Sequence, residues 1–136
     1  MLHDELTHTI LEACFEVSKE MGAGFLESVY EKSLLVALRQ KGLTAVSQIP
    51  LKVKFRGVIV GEFYADILVD EKILIELKAV SRLLPEHKAQ VINYLNATGI
   101  GVGLLVNFGL SKIEYFRLYG RNNPVHPAYP VLPQPK

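Results

Sequence analysis

Glu62–Lys78 reads EFYADILVDEKILIELK, and the way its two apolar runs pair decides the fold. Val58 to Val69 and Ile73 to Ala79 are rich in β-branched and aromatic residues, and Asp70, Glu71 and Lys72 between them make a polar break of hairpin length. Two antiparallel strands with a short turn follow. With all three polar residues in the loop, Val69 faces Ile73, and counting back from the turn puts Asp66 opposite Glu76. A two-residue loop would slip the register by one and send the two carboxylates to opposite faces. In the three-residue register they share a face, and Lys78, two residues beyond Glu76, lies on it too. Directly opposed strand residues have Cβ atoms about 5 Å apart, and like charges there destabilise the pair. Either Lys78 alone offsets them, as an ion-pair cluster, or a hard divalent cation with oxygen ligands fits the same geometry.

The chain before this stretch opens with an amphipathic helix over Asp4–Met21, in which Leu6, Ile10, Ala13, Cys14, Val17 and Met21 recur at helical spacing. Gly22 and Gly24 end it, and a second helix runs from about Glu27 to Lys41 with Tyr30, Leu34, Ala37 and Leu38 as its inner stripe. Thr44 to Ile49 reads as a strand broken by Pro50. Leu51, Val53 and Phe55 then alternate with Lys52, Lys54 and Arg56, a half-buried strand with a basic outer face. Such lysines commonly block edge-to-edge pairing, or they form a phosphate-facing stripe. After Lys78, Pro85 suits a first helical position, and a helix over Pro85–Thr98 stops at Gly99. His87, Gln90 and Tyr94 line one side of it. Gly101 to Phe108 is a buried strand, and Ile113 to Leu118 a last strand at the sheet's edge.

Three motifs carry a family resemblance. Asp66, followed after nine residues by Glu76-Leu77-Lys78, is similar to the D-(x)n-E-x-K signature of the PD-(D/E)XK nuclease superfamily, with Ala65 where that pattern often has proline. Gly24-Phe25-Leu26-Glu27-Ser28-Val29-Tyr30 matches G-x-x-E-x-x-Y, which names one of its families of small proteins. Gln90 to Tyr94 matches the Q-x-x-x-Y helix motif of its RecB-like and λ-exonuclease-like members. The resemblance spans roughly Leu6 to Leu118.

It implies an α/β restriction-endonuclease-like core, a mixed sheet flanked by helices, over residues 1–119. It also implies metal-dependent hydrolysis of phosphodiester bonds in nucleic acid, DNA before RNA. Asp66 and Glu76 would bind one or two Mg²⁺ (or Mn²⁺), with the Leu77 carbonyl as a further ligand and Glu27 completing the site directly or through water. Glu27 has a plainer use as well, since a carboxylate in a helix's first turn complements the dipole. Lys78 would hold or deprotonate the attacking water, while Gln90 and Tyr94 orient Lys78, the metal or the phosphate. The rival is a catalytically inactive module of the same fold that binds nucleic acid or assembles with other proteins. Paired carboxylates also serve glycoside hydrolysis, but that needs a wider, asymmetric pair.

Composition narrows the rest. With 136 residues the length fits one domain. Its net charge of +1, from 15 basic and 14 acidic residues, gives no global pull toward a polyanion, so any such site is local. The single cysteine, Cys14, rules out an internal disulfide and reads as core. No run approaches a membrane span, and acidic residues stand where a signal peptide has an apolar stretch, which points to the cytoplasm. From residue 120 to 136 five prolines predict an extended polyproline-type tail, whose Tyr129, Val131 and Leu132 would strap across its own domain or a neighbouring chain if it is not disordered. The tail and the apolar surface suggest a homodimer.

Overall fold

The computed structural model describes residues 2–121. The order is α1 (Asp4–Met21), α2 (Glu27–Gln40), β1 (Ala45–Phe55), β2 (Val58–Val69), β3 (Ile73–Lys78), α3 (Pro85–Thr98), β4 (Val102–Asn107) and β5 (Glu114–Tyr119). The strands form one five-stranded sheet in chain order. Only β3 and β4 run parallel, joined by the α3 crossover, and the other neighbours are antiparallel. Both central strands are apolar almost throughout because both of their faces are covered. On one side Ile10, Cys14, Tyr30, Leu34 and Leu38 pack on Ile67, Ile73, Ile75 and Leu104. On the other, Val91 and Leu95 of α3 pack on Leu51, Ala65, Leu74 and Leu105. The Cys14 thiol is buried in the first of these layers, and burial pushes its pKa up to about 12.

The predicted break at Pro50 does not occur: β1 runs straight through it. Since β1 is an edge strand, a residue without an N–H interrupts no ladder on its open side. The apolar strand Val58–Val69 is buried only in its second half, for Val58 and Val60 are 63% and 61% exposed at the tip of the β1–β2 hairpin. Phe55 is exposed there as well, and of the alternating apolar residues in β1 only Leu51 is buried.

That hairpin changes sides of the sheet along its length. Ala45, Ile67 and Val69 belong to the α1–α2 layer, whereas Ile49, Leu51, Phe63 and Ala65, at the same odd-numbered positions, belong to the α3 layer. The change falls at Gln48 and Asp66, which lie between the paired rungs Ser47–Ile67 and Ile49–Ala65. Gln48 there takes a φ of 53°, in the left-handed region, which turns the strand. The β2–β3 pairing also ends at Ile67–Ile75. The sheet therefore opens where Asp66 stands. Among the described residues no helix is long and apolar enough to cross a membrane. The predicted tail beyond Arg121 lies outside the described residues.

Candidate active site

The β2–β3 turn has the three-residue loop that the register requires. Asp70 and Glu71 both take left-handed φ values, 51° and 58°, and the Lys72 N–H closes the turn on the Val69 carbonyl at 2.9 Å. Ile73 pairs with Val69, Leu74 with Leu68 and Ile75 with Ile67, so the next rung sets Glu76 against Asp66. Here side chains replace the ladder. The Asp66 N–H donates to Glu76 Oε1 (3.1 Å), and the Leu77 N–H donates to Asp66 Oδ2 (2.8 Å). Each carboxylate is thus pinned by the backbone of the other strand, which fixes both without a cation.

Glu76 is only 5% exposed. Burial first, and the charge of Asp66 second, push its carboxyl from 4.5 up to about 8, against the opposing pull of the Asp66 N–H and then of Lys78. Among the described residues neither carboxylate has a lysine or arginine within ion-pair distance. Lys78, half-buried at the end of β3, acts on Glu76 by its field rather than by contact.

Two further side chains reach the pair. The Tyr94 hydroxyl is held above its ordinary pKa by burial and then by the charges of Glu76 and Asp66, while a hydrogen bond with Gln90 lowers it. Tyr94, predicted to share a side of α3 with Gln90, therefore lies within the field of the acid pair, and Gln90 is exposed beside it. The glutamate of α2 that senses Asp66 is Glu31. Burial raises its pKa most, the Gln48 amide that donates to it at 2.8 Å lowers it, and the nearby Asp66 carboxylate raises it again. Glu27 is exposed in the first turn of α2, one helical turn earlier. The sequence reading missed Glu31 and Gln48; the one signal for Glu31 was its place four residues after Glu27, on the same side of α2.

The rest of G-x-x-E-x-x-Y aims the helix. Gly24 takes a φ of 111° that other residues avoid. The Tyr30 hydroxyl donates to the Gly22 carbonyl (2.5 Å) and accepts from the Phe25 N–H (3.2 Å). Its ring stacks on Phe108, with centroids 5.0 Å apart. Tyr30 is therefore a brace between the α1–α2 connection and the core.

A second clamp holds the chain after Lys78. The Asn107 side chain donates to the Val80 carbonyl and accepts from the Val80 N–H, each at 3.0 Å, and also accepts from the Gly109 N–H at 2.9 Å. A Cβ on Gly109 would lie 2.3 Å from the Val80 carbonyl oxygen, so only glycine admits this approach. His87 is a cap: its Nδ1 accepts from the Leu84 N–H at 3.0 Å. Lys52 and Lys54 line an open groove beside α3. Arg56 instead lies over the Phe55 ring at the hairpin turn, 4.8 Å from its centroid.

The donor set suits a hard cation. It consists of two anchored carboxylates, one of them desolvated and unneutralised, with the Leu77 backbone beside them. No three His, Cys, Asp or Glu side chains converge in a ligating arrangement among the described residues. Mg²⁺ is commonly held by one or two carboxylates, with water and phosphate oxygens filling its shell.

No curated protein matches the chain. Among solved structures, that of SSO0001 is similar with a TM-score of 0.52 and 20% identity, covering 68% of this chain and 49% of its own. An alkaline exonuclease, LHK-Exo from Laribacter hongkongensis, has a TM-score of 0.48 and 16% identity over 63% of this chain and 52% of its own. This chain spans about half the length of each. The mixed five-stranded sheet flanked by helices is a restriction-endonuclease-like core. Residues 4–118 match the family model described as the PD-(D/E)XK nuclease superfamily.

Proposed function

The chain belongs to the PD-(D/E)XK nuclease superfamily, and we propose that it hydrolyses phosphodiester bonds in nucleic acid, DNA before RNA, using Mg²⁺ or Mn²⁺ held by Asp66 and Glu76. One observation carries this reading: the buried Glu76 carboxylate stands against the partly buried Asp66 carboxylate, each fixed by the other strand's N–H, with no lysine or arginine among the described residues within ion-pair distance. Burying like charges this way costs stability unless something positive joins them. The Leu77 carbonyl is a further ligand, and Glu31, with Glu27 one turn outside it, supplies a third carboxylate directly or through water. A bound divalent cation makes hydroxide available near neutral pH and neutralises charge on the phosphate.

The remaining steps belong to the chain's own groups. Lys78 holds the attacking water and stabilises charge on the phosphate. Gln90 and Tyr94 orient the phosphate over the acid pair. Gly24, Glu27 and Tyr30 favour the G-x-x-E-x-x-Y family within the superfamily. Near-zero net charge favours the rival, an inactive nucleic-acid-binding module of the same fold.

The test is cleavage of linear and circular, single- and double-stranded DNA and of RNA in Mg²⁺, Mn²⁺ or EDTA. Asp66→Asn keeps an acceptor for the Leu77 N–H and so keeps the fold. Metal-dependent cleavage lost in Asp66→Asn and Lys78→Ala is the expected result. Cleavage that persists in both variants, or no cleavage of any substrate by the wild type, removes the enzyme reading.

A further inference from the structure

Between the outer half of the β1–β2 hairpin and α3 runs an open groove of about 710 Å³, whose lining includes Lys52, Lys54, Phe63, Tyr94, Asn96 and Arg121. Three observations bear on what it takes. First, it shares a wall with the acid pair, because Tyr94 lines it and also feels the charges of Glu76 and Asp66. Second, its sign is opposite to that of the acid pair. Among its described lining residues Lys52, Lys54 and Arg121 are basic and none is acidic, although Glu62 pairs with Lys52 across the hairpin and the whole chain carries only +1. Arg121 is held at this wall by its backbone, whose N–H donates to Asn96 Oδ1 at 2.8 Å. Third, the groove has an aromatic side: Phe63 and Tyr94 stack with centroids 3.7 Å apart and planes 16° apart.

Cations flanking an aromatic platform are what an unpaired strand uses, with its backbone on the charges and its bases on the rings. The volume falls in the range of small-ligand pockets, about 300–1,000 Å³, enough for a few nucleotides. We propose that this groove is the track of a single-stranded nucleic-acid segment that leads away from the scissile phosphate, past Tyr94, to Lys52, Lys54 and Arg121. The proposal rests on the nuclease reading for its direction and sets its substrate class. It also divides the basic residues of the hairpin: Lys52 and Lys54 grip the strand, and Arg56 does not.

Binding without cleavage tests it. The full chain in EDTA is titrated into fluorescent oligonucleotides of about 12 nucleotides, as single-stranded DNA, single-stranded RNA and duplex DNA, over a salt series read by anisotropy. The two single strands show which sugar the groove prefers. The wild type binds a single strand more tightly than duplex. The Lys52→Ala/Lys54→Ala/Arg121→Ala variant loses about tenfold or more, and its plot of log affinity against log salt becomes shallower by about 2. Lys19→Ala/Lys72→Ala/Lys112→Ala, which removes three exposed lysines outside the groove, binds as the wild type does. Unchanged affinity and slope in the groove variant overturn the proposal, as does duplex binding at least as tight as single-strand binding. Cleavage is scored separately. A protein that cuts but whose groove variant binds normally loses the groove and keeps the nuclease; one that binds strands through the groove and cuts nothing loses the nuclease and keeps the groove.

Discussion

Two groups of carboxylates in this molecule are built on opposite terms. On the outer side of α1, Glu12 and Glu16 flank Lys41, whose Nζ lies 3.9 and 2.8 Å from them. Both glutamates are exposed, and the hydrogen bond to Glu16 is the chief reason the lysine's pKa is raised. Inside the sheet, a buried Glu76 is brought against a partly buried Asp66, with Glu31 beside Asp66 and no lysine or arginine among the described residues within ion-pair distance. The first group is a solvated ion pair of the kind that adds little to stability. The second opposes folding, and the backbone N–H groups that pin it hold it in place. Sequence spacing alone does not separate the two, since both are acidic side chains near a lysine. The difference lies in burial.

The largest expected effect separates the two groups by activity. Asp66→Asn and Lys78→Ala each lower the cleavage rate by about 10²–10⁴-fold, while Glu16→Gln leaves it unchanged, as measured by single-turnover kinetics on a preferred oligonucleotide. Equal losses from both groups would erase the distinction. Stability should respond in the opposite sense. Without metal, at pH 8, Glu76→Gln stabilises the fold by about 1–3 kcal/mol by removing a buried repulsion, whereas Glu16→Gln produces no gain; urea unfolding reads both.

The pH dependence follows from the same carboxyl. Its folded pKa, about 8, lies above the ordinary 4.5, so between these values the native state holds a proton that the unfolded chain has released. Glu76 therefore costs nothing below about pH 4.5, and it progressively lowers metal-free stability as the pH rises to about 8. Thermal melts of the wild type should fall across that window relative to those of Glu76→Gln. The smallest effect concerns the brace. Tyr30→Phe removes two hydrogen bonds of the α1–α2 connection and costs about 1 kcal/mol, with cleavage reduced because α2 carries Glu31.

Much of this was legible because the local chemistry agreed with the fold. The Asp70-Glu71-Lys72 loop set the register, and the register set Asp66 against Glu76. Tyr94 and Gln90 followed from helical spacing. The sequence misled where topology overrode local preference. Pro50 breaks a strand only where its missing N–H is needed, and β1 lies at the sheet's edge. Val58 to Val60 have the apolar character of a core, but the hairpin carries them past the helices that would cover them. Glu31 was missed because its contact with Asp66 depends on the turn at Gln48, where the hairpin changes faces, and no alternation pattern announces a single left-handed residue. Asn107 and Gly109 gave no sign of their hold on Val80, which lies 27 residues from Asn107 in the chain.

The most direct measurement is calorimetric titration of Mn²⁺ into the wild type, Asp66→Asn and Glu76→Gln at pH 8, with Glu16→Gln as the exposed counterpart. Binding in the wild type and in Glu16→Gln, lost or weakened at least about tenfold in the two inner variants, would establish that the inner pair exists to hold a cation. Equal binding in all four proteins, or none in the wild type, would mean that the pair is a structural charge cluster and that the chemistry assigned to it is wrong.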